Sequence, residues 1–558
     1  MRPAKVSKLH ATATGAHAVR LSWASAARAK RYEVQRDGRR IGTPAVPAFT
    51  DKAMSSGAWH RYRVRGLGAH GRAGPWSKTV GVQVPKAGGG GGGSSTLTRA
   101  MVDRIFWRAG FGPTDAERSA WVGKKHFALV DFLLTHHQSL AATSTPPLTQ
   151  SNGPIDPLAD DNDLTMEWLD TMMRATNPLT ERLTLFWHRH FAVSRENGIP
   201  AVWMLGYRNR LRRFGDLAQF PHASFRQLAR EMTNQDPAMS LWLNGWENQK
   251  GQPNENYARE FMELFCLGIR DESGNPNYTQ LDVQELARAF TGWRLNQQPA
   301  DPNFGQITFG GSSYFDGGTK KIFGQSANWS AVAGTPAGAR SAVDLVLAHR
   351  SHAQFLVRKL WKEFVVTPIP AQTLTNLVVA YSAGNRLEIK PVIQGILSHP
   401  LIFESIDEPN LVKPPVVYTV GVQRLMNGPL KWYHQASMLD SMQQRPYHPP
   451  NVAGWEGGLS WLNTNTSAAR FQLIKESQYV KHSSYPGAKG VADIPGESAN
   501  QAFDRAYAAV NSPWLSPSTI VKLRQFAAAQ PAGNPTERAQ RQYALRALIL
   551  AGPDGQVM

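Results

Sequence analysis

A single cysteine, Cys266, stands in 558 residues, which excludes an internal disulfide and any cysteine-rich zinc site. Long apolar runs are missing too. Stretches such as Leu377 to Tyr381 or Ala547 to Ala551 fall far short of the roughly 20 residues that cross a bilayer, so no membrane span is expected. The chain starts Met1-Arg2-Pro3-Ala4 without the charged, apolar and small-residue zones of a signal peptide, so a leader is expected to have been removed or never to have been there. No Gly-rich phosphate loop, nucleophile elbow or close metal-chelating cluster can be read, and Cys266 sits in an apolar helical pattern where it is inert.

Acidic residues are scarce at one end. Residues 1–86 hold 17 Lys and Arg against only Glu33, Asp37 and Asp51, so +14 of the formal +19 lies there. A cationic segment on a nearly balanced remainder points to an anionic partner, or else to solubility alone. Anionic cell-wall polymer and acidic polysaccharide rank above nucleic acid, because no helix-turn-helix, zinc-finger or RNA-recognition pattern accompanies the charge.

What is present divides the chain in two. From Val6 to Val84 short alternating segments (Ala18–Trp23, Arg31–Arg36, Tyr62–Arg65, Thr79–Val84) are broken by turns at Asp37-Gly38 and Gly68, which predicts an antiparallel sandwich. Trp23, Tyr32 and Tyr62-Arg-Val-Arg65 followed by Gly74-Pro75-Trp76-Ser77 resemble a fibronectin type III module. The glycine run Gly88–Gly93 with Ser94 and Ser95 predicts a flexible tether. Beyond it apolar spacing turns helical, as in Phe355, Leu356, Leu360 and Phe364. Asn177-Pro178 predicts a helix start; Gly198 and Gly268 predict stops. Residues 296–341 read as an insert or short hairpin around Ile307-Thr308-Phe309, and Ser483 to Glu497 as a loop. The expected fold class is a small all-β sandwich (1–86), a Gly/Ser linker (87–97) and a large, mainly α-helical domain (98–558).

Six stretches of the large domain carry a second resemblance. They are Arg108-Ala-Gly-Phe-Gly-Pro113, Phe186-Trp-His-Arg-His-Phe191, Asn254 to Gly268, Tyr278-Thr279 with Leu286 to Trp293, Arg358-Lys-Leu-Trp361 and Pro450-Asn-Val-Ala-Gly-Trp455. In this order they resemble the bacterial family known as domain of unknown function 1800. The resemblance implies a mostly helical fold and a secreted or cell-envelope setting, and no particular reaction. Relatives tend to read His-Asp-x-Gly-x-Lys where this chain has Phe315-Asp316-Gly317-Gly318-Thr319-Lys320.

Candidate chemistry gathers in two places. On a helix, Asn256, Arg259, Glu260 and Glu263 fall within about a 100° arc, and the residues between them are apolar. Two carboxylates in unequal environments, one ionised beside Arg259 and one protonated by burial, are what cleavage of a glycosidic bond requires. The same stripe also fits a solvated face or a structural salt bridge. His188 and His190 point about 200° apart on a helix, so they do not share a metal, whereas Glu181 lies seven residues before His188 on its own face. His188 then reads as an acid/base or ligand oriented by Glu181, or as a satisfied core histidine.

Seventeen tryptophans offer stacking surfaces for sugars, with Trp187, Trp293 and Trp455 assigned to substrate and Trp242, Trp246 and Trp461 in similar loops. The expectation is a secreted or envelope protein acting on an extracellular polymer, most simply a polysaccharide, as a glycoside hydrolase or lyase. Its catalytic groups are Glu260, Glu263, His188 and Glu181; Arg259 and Asn256 bind substrate, with no metal assigned and the cofactor left unknown. A non-catalytic surface-binding or assembly protein and a His-dependent metalloenzyme are the alternatives.

Overall fold

The computed structural model describes residues 2–15, 18–51, 59–83, 95–140, 153–426, 432–478 and 491–558. Val84, the glycine run to Ser94 and the first part of the loop from Ser483 lie outside the described residues. The chain divides into two compact units, one of Met1–Ser95 with Ser398–Ile406 and one of Thr96–Leu397 with Asp407–Met558.

The first unit holds two antiparallel sheets. One orders its strands Ser7–Gly15, Ala18–Ala24, Ala48–Asp51; the other orders Arg39–Gly42, Arg31–Arg36, Trp59–Leu67, Val80–Gln83. Period-two alternation sends Val19, Leu21, Trp23, Tyr32, Val34, Tyr62 and Val64 inward, where they form the core. Trp23 meets Tyr32 edge-on at 5.3 Å, and the buried Tyr32 hydroxyl accepts from the Ala26 N–H at 3.1 Å. Gly74 and Ser77 donate their N–H groups to Gly66 and Val64, so this stretch lies along the strand Trp59–Leu67. Three strands facing four in this order is the fibronectin type III arrangement.

The second unit is mainly helical. Asn177 caps the helix Pro178–His190 by accepting from the Leu179 N–H at 3.2 Å, with Pro178 in the first turn, as the sequence predicts. That helix ends at Phe191, and Gly198 (φ 74°) closes the short turn Arg195–Asn197 instead. Every residue of the helix except Arg189 is buried, which makes it a central strut. Residues 293–341 form three two-stranded ribbons. In the second, the buried Lys320 sits 4.6 Å from the Phe315 ring and donates to the carbonyl oxygens of Gly318 (3.0 Å) and Asp316, while Arg288 forks onto Asp316 at 2.7 and 3.2 Å. With Phe315 at this position, the segment is a packed clip around a lysine. Among the described residues, no helix is long and apolar enough to cross a membrane.

Candidate functional site

The stretch Asn254–Gly268 begins as an α-helix, Glu255–Glu260, and continues as a π-helix, Phe261–Leu267. A π turn bonds i to i+5, so it widens the helix and shifts which residues share a face. Gly268 ends it with φ 76°, a conformation that suits glycine, and its N–H reaches Glu263 O at 3.1 Å. The last carbonyls of any helix lack intrahelical donors. Here side chains from remote elements supply them. Lys359 Nζ donates to Leu264 O at 2.8 Å, His190 Nε2 to Phe265 O at 3.0 Å, His352 Nδ1 to Cys266 O at 2.9 Å and Asn277 Nδ2 to Leu267 O at 3.0 Å.

These bonds fix the state of the histidines. His190 gives its Nε2 proton to Phe265 O, so its Nδ1 accepts from Lys359 Nζ at 3.3 Å. In His352 the Nδ1 proton is spent and Nε2 accepts from the Tyr381 hydroxyl at 2.9 Å. His188 Nε2 accepts from the Tyr447 N–H at 2.9 Å, so its Nδ1 donates to the Tyr207 hydroxyl at 3.0 Å. All three rings are buried and neutral. Burial pushes His188 down to about 3 and His352 to about 4; His190 is pushed well below its ordinary value by burial and by Lys359. Both ring nitrogens of His188 are engaged, so no lone pair is left for a metal, and among the described residues no group of three or more His, Cys, Asp or Glu is placed to hold one.

Glu181 does not orient His188. It is fully buried and takes a fork from Arg212 (2.7 and 3.1 Å), the Trp168 indole N–H (2.7 Å) and the Gln138 amide (2.9 Å). Burial works to raise its carboxyl, and the Arg212 guanidinium overcomes this and holds it below the usual carboxylate range. Glu181 and His188 both meet Trp168, which donates to Glu181 and whose ring lies 5.6 Å from His188, as buried members of a closed network. Two of the tryptophans share that fate. Trp187 has no exposed surface and donates to Phe214 O at 3.1 Å, and Trp455 is 3% exposed with its ring edge-on to His188 at 5.3 Å. Neither presents a face to a sugar. Cys266 is fully buried and its thiol is raised well above the ordinary value by that burial.

The other group stays open to solvent. Asn256 is exposed, with its Nδ2 reaching Leu243 O at 3.4 Å, and Arg259, Glu260 and Glu263 are half-buried. Arg259 pairs with Glu255 at 3.0 Å and with Gln280 at 2.9 Å; Glu263, its sequence-expected partner, accepts instead from the Tyr278 hydroxyl at 2.8 Å. The wider π turn after Glu260 explains the difference, because it carries Glu263 away from the Arg259 face. Burial raises the Glu260 carboxyl, the neighbouring Glu263 adds to this, and Arg259 only partly offsets it. Tyr278 is raised as well, by burial and by the bond to Glu263.

Each end of this string of groups lines a depression. Glu255, at one end, lines a depression of about 600 Å³ with Trp246, Gln249, Gln252, Asn254 and Arg294. Tyr278, at the other end, lines one of about 430 Å³ with Asp282, Lys321, Phe323 and His349. Trp246 is half-exposed on a short turn, Gly245–Glu247, that follows Asn244 at φ 57°. Arg294 lies 4.3 Å over the Tyr314 ring. Trp293 is half-buried against Phe309 at 5.5 Å, one residue from Arg294. Sequence periodicity missed Glu255, Tyr278 and Arg294; Glu255 alone carried a readable signal, standing four residues before Arg259.

A family model described as "Protein of unknown function (DUF1800)" matches residues 104–557. The chain belongs to this family. All six motif stretches lie within the DUF1800 match, and the last five also meet in space: Arg189 Nε donates to Trp455 O at 2.8 Å, Tyr278 bonds to Glu263, and His190 and Lys359 both cap the π-helix of the third stretch. An alpha-amylase of Niallia circulans is 35% identical over 86 residues, which is 15% of this chain; the chain spans 7% of that relative's length. The solved FN3tt structure matches at 15% identity and TM-score 0.14, covering 15% of this chain and 98% of that one. The chitinase ChiA74 of Bacillus thuringiensis matches at 15% identity and TM-score 0.14, covering 15% of this chain and 14% of that one. The strand order of the N-terminal region is that of a fibronectin type III domain.

Proposed function

We propose that this DUF1800 protein is a secreted or envelope-associated protein that engages an extracellular polysaccharide through its helical domain. Residues 98–558 form the working domain, residues 1–86 a docking module and residues 87–97 the tether between them. One observation carries the reading: Glu255, Arg259, Glu260 and Glu263 follow one helix, Tyr278 bonds to the last of them, and Glu255 and Tyr278 each line a solvent-open depression. An elongated ligand suits such a path. An indole face at Trp246 with the amides of Gln249, Gln252 and Asn254 around it has the mix of apolar platform and hydrogen-bonding groups that sugar rings require.

Chemistry at the centre of the path falls to the glutamates. Glu260 is held towards its protonated form by burial and by Glu263, which fits it to donate a proton to a leaving glycosidic oxygen. Glu263 accepts a hydrogen bond from Tyr278 and remains the base or nucleophile. Glu181 and His188 are assigned to holding the fold. The test is reducing-end release from a panel of plant, fungal and bacterial polysaccharides by the full chain and by Glu260→Gln. Release that falls about 100-fold or more in the variant supports the assignment; equal release rejects Glu260 as the acid. Binding that is unchanged, with no release from any polysaccharide, leaves a non-catalytic binding protein.

A further inference from the structure

We infer that the outer face of the four-stranded sheet in the N-terminal module is a docking surface for a carboxylate-bearing polysaccharide, a polyuronate. The inference deepens the docking role proposed above and rests on it. Strand register builds the face. Gln35 pairs with both Arg40 and Arg63, and Glu33 pairs with Arg65; partners in an antiparallel ladder share a face, as do residues two apart along a strand. Arg31, Arg40, Arg61, Arg63 and Arg65 therefore point outward together, while Tyr32, Val34, Tyr62 and Val64 point into the core. Arg31, Arg40 and Arg61 are exposed.

Glu33 is the single acid in this array, and it shows how a carboxylate sits there. It takes Arg65 Nε at 2.9 Å and the Gln35 amide at 3.2 Å. The module's other acids are already spent: Asp51 is paired with Arg36 at 2.9 Å, and Asp37 with His60 at 2.6 Å. No acid on this face thus answers the remaining arginines. Planar guanidinium forks match carboxylates two bonds at a time, and every cation in the array is arginine.

Nucleic acid fits this surface poorly. The face presents no helix to a major groove, and four strands are broader than the two-stranded ribbon such a groove admits. Trp76 on this face is overlaid by Arg63 at 4.5 Å and Arg65 at 4.3 Å, which occupies the ring that a base would stack on. A chain of uronate residues asks only for repeated guanidinium forks across an open face.

The experiment measures binding of the full chain to polygalacturonate, methyl-esterified polygalacturonate, inorganic polyphosphate and duplex DNA at fixed ionic strength. Two triple variants remove equal charge: Arg31→Gln/Arg40→Gln/Arg61→Gln on the face, and Arg2→Gln/Lys5→Gln/Lys8→Gln in and just before the first strand of the other sheet. Polygalacturonate is expected to bind, with the methyl ester much weaker. The face triple should lose about tenfold or more in affinity and the control triple less than about twofold. Equal losses in both triples would reduce the effect to net charge and overturn the inference, as would undiminished binding of the methyl ester or tighter binding of polyphosphate or DNA. Reducing-end release by the Glu260 pair, measured on the same variants with a short soluble fragment, separates a failure of docking from a failure of the proposed chemistry.

Discussion

Acid should weaken the helical domain steeply, and three buried histidines set the size of the effect. His188, His190 and His352 are neutral in the folded state, with His188 pushed down to about 3 and His352 to about 4. In the unfolded chain each titrates near its ordinary value of about 6.5. Below that value the unfolded chain takes up protons that the folded domain refuses, so stability is fully present above about pH 6.5 and is lost as pH falls towards the folded values. Between pH 7 and pH 5 the linkage amounts to about 2 kcal/mol per ring and about 6 kcal/mol for the three, against a typical net stability of about 5–15 kcal/mol. The assay is urea unfolding of the full chain at pH 7, 6 and 5, followed by tryptophan fluorescence and far-ultraviolet circular dichroism, with the helical transition fitted separately. His352→Gln can still donate to Cys266 O and accept from Tyr381, so it should keep most of the stability at pH 7 while flattening the pH slope by about a third. A helical transition that does not move between pH 7 and pH 5, or an unchanged slope in His352→Gln, would refute the reasoning.

Three further outcomes follow from the same geometry. Glu181→Ala strips the partner from Arg212 and the Trp168 N–H in a closed site, and should cost about 3–5 kcal/mol in urea unfolding; a loss below about 1 kcal/mol would contradict the network. Gly268→Ala forces a side chain into the left-handed region at φ 76° with Phe355 3.3 Å away, and should cost about 1–2 kcal/mol in the same measurement. Trp246→Ala leaves the buried core untouched, so polysaccharide affinity should fall about tenfold while the thermal midpoint stays within about 2 °C.

The β-module was largely legible because period-two alternation and turn glycines are local signals: Trp23, Tyr32, Tyr62 and Val64 are core residues by strand parity alone. Helix starts were legible for the same reason, as at Asn177-Pro178. The π turn was not. Phe261–Leu267 has the apolar spacing of an ordinary helix, and its carbonyls are claimed by Lys359, His190, His352 and Asn277 from elements far along the chain, which no local pattern announces. Glu181 and His188 do lie on one helix face, as their spacing implies, yet Arg212, Trp168, Tyr207 and Tyr447 close over them. Periodicity gives the direction in which a side chain points. What covers it depends on tertiary packing, and that is why Trp187 and Trp455 read as binding surfaces in the sequence and are buried in the fold.

Fluorine NMR of the full chain carrying 5-fluorotryptophan, titrated with a soluble fragment of whichever polysaccharide binds, locates the bound chain. Trp246 borders the larger depression, and Trp168, Trp187 and Trp455 are sealed in the core. The Trp246 signal, assigned by its disappearance in Trp246→Phe, is expected to shift first and furthest while the three core signals stay in place. A ligand that binds while the Trp246 signal stays fixed, or that moves the core tryptophans instead, would place the polysaccharide elsewhere and contradict the assigned path along Glu255 to Tyr278.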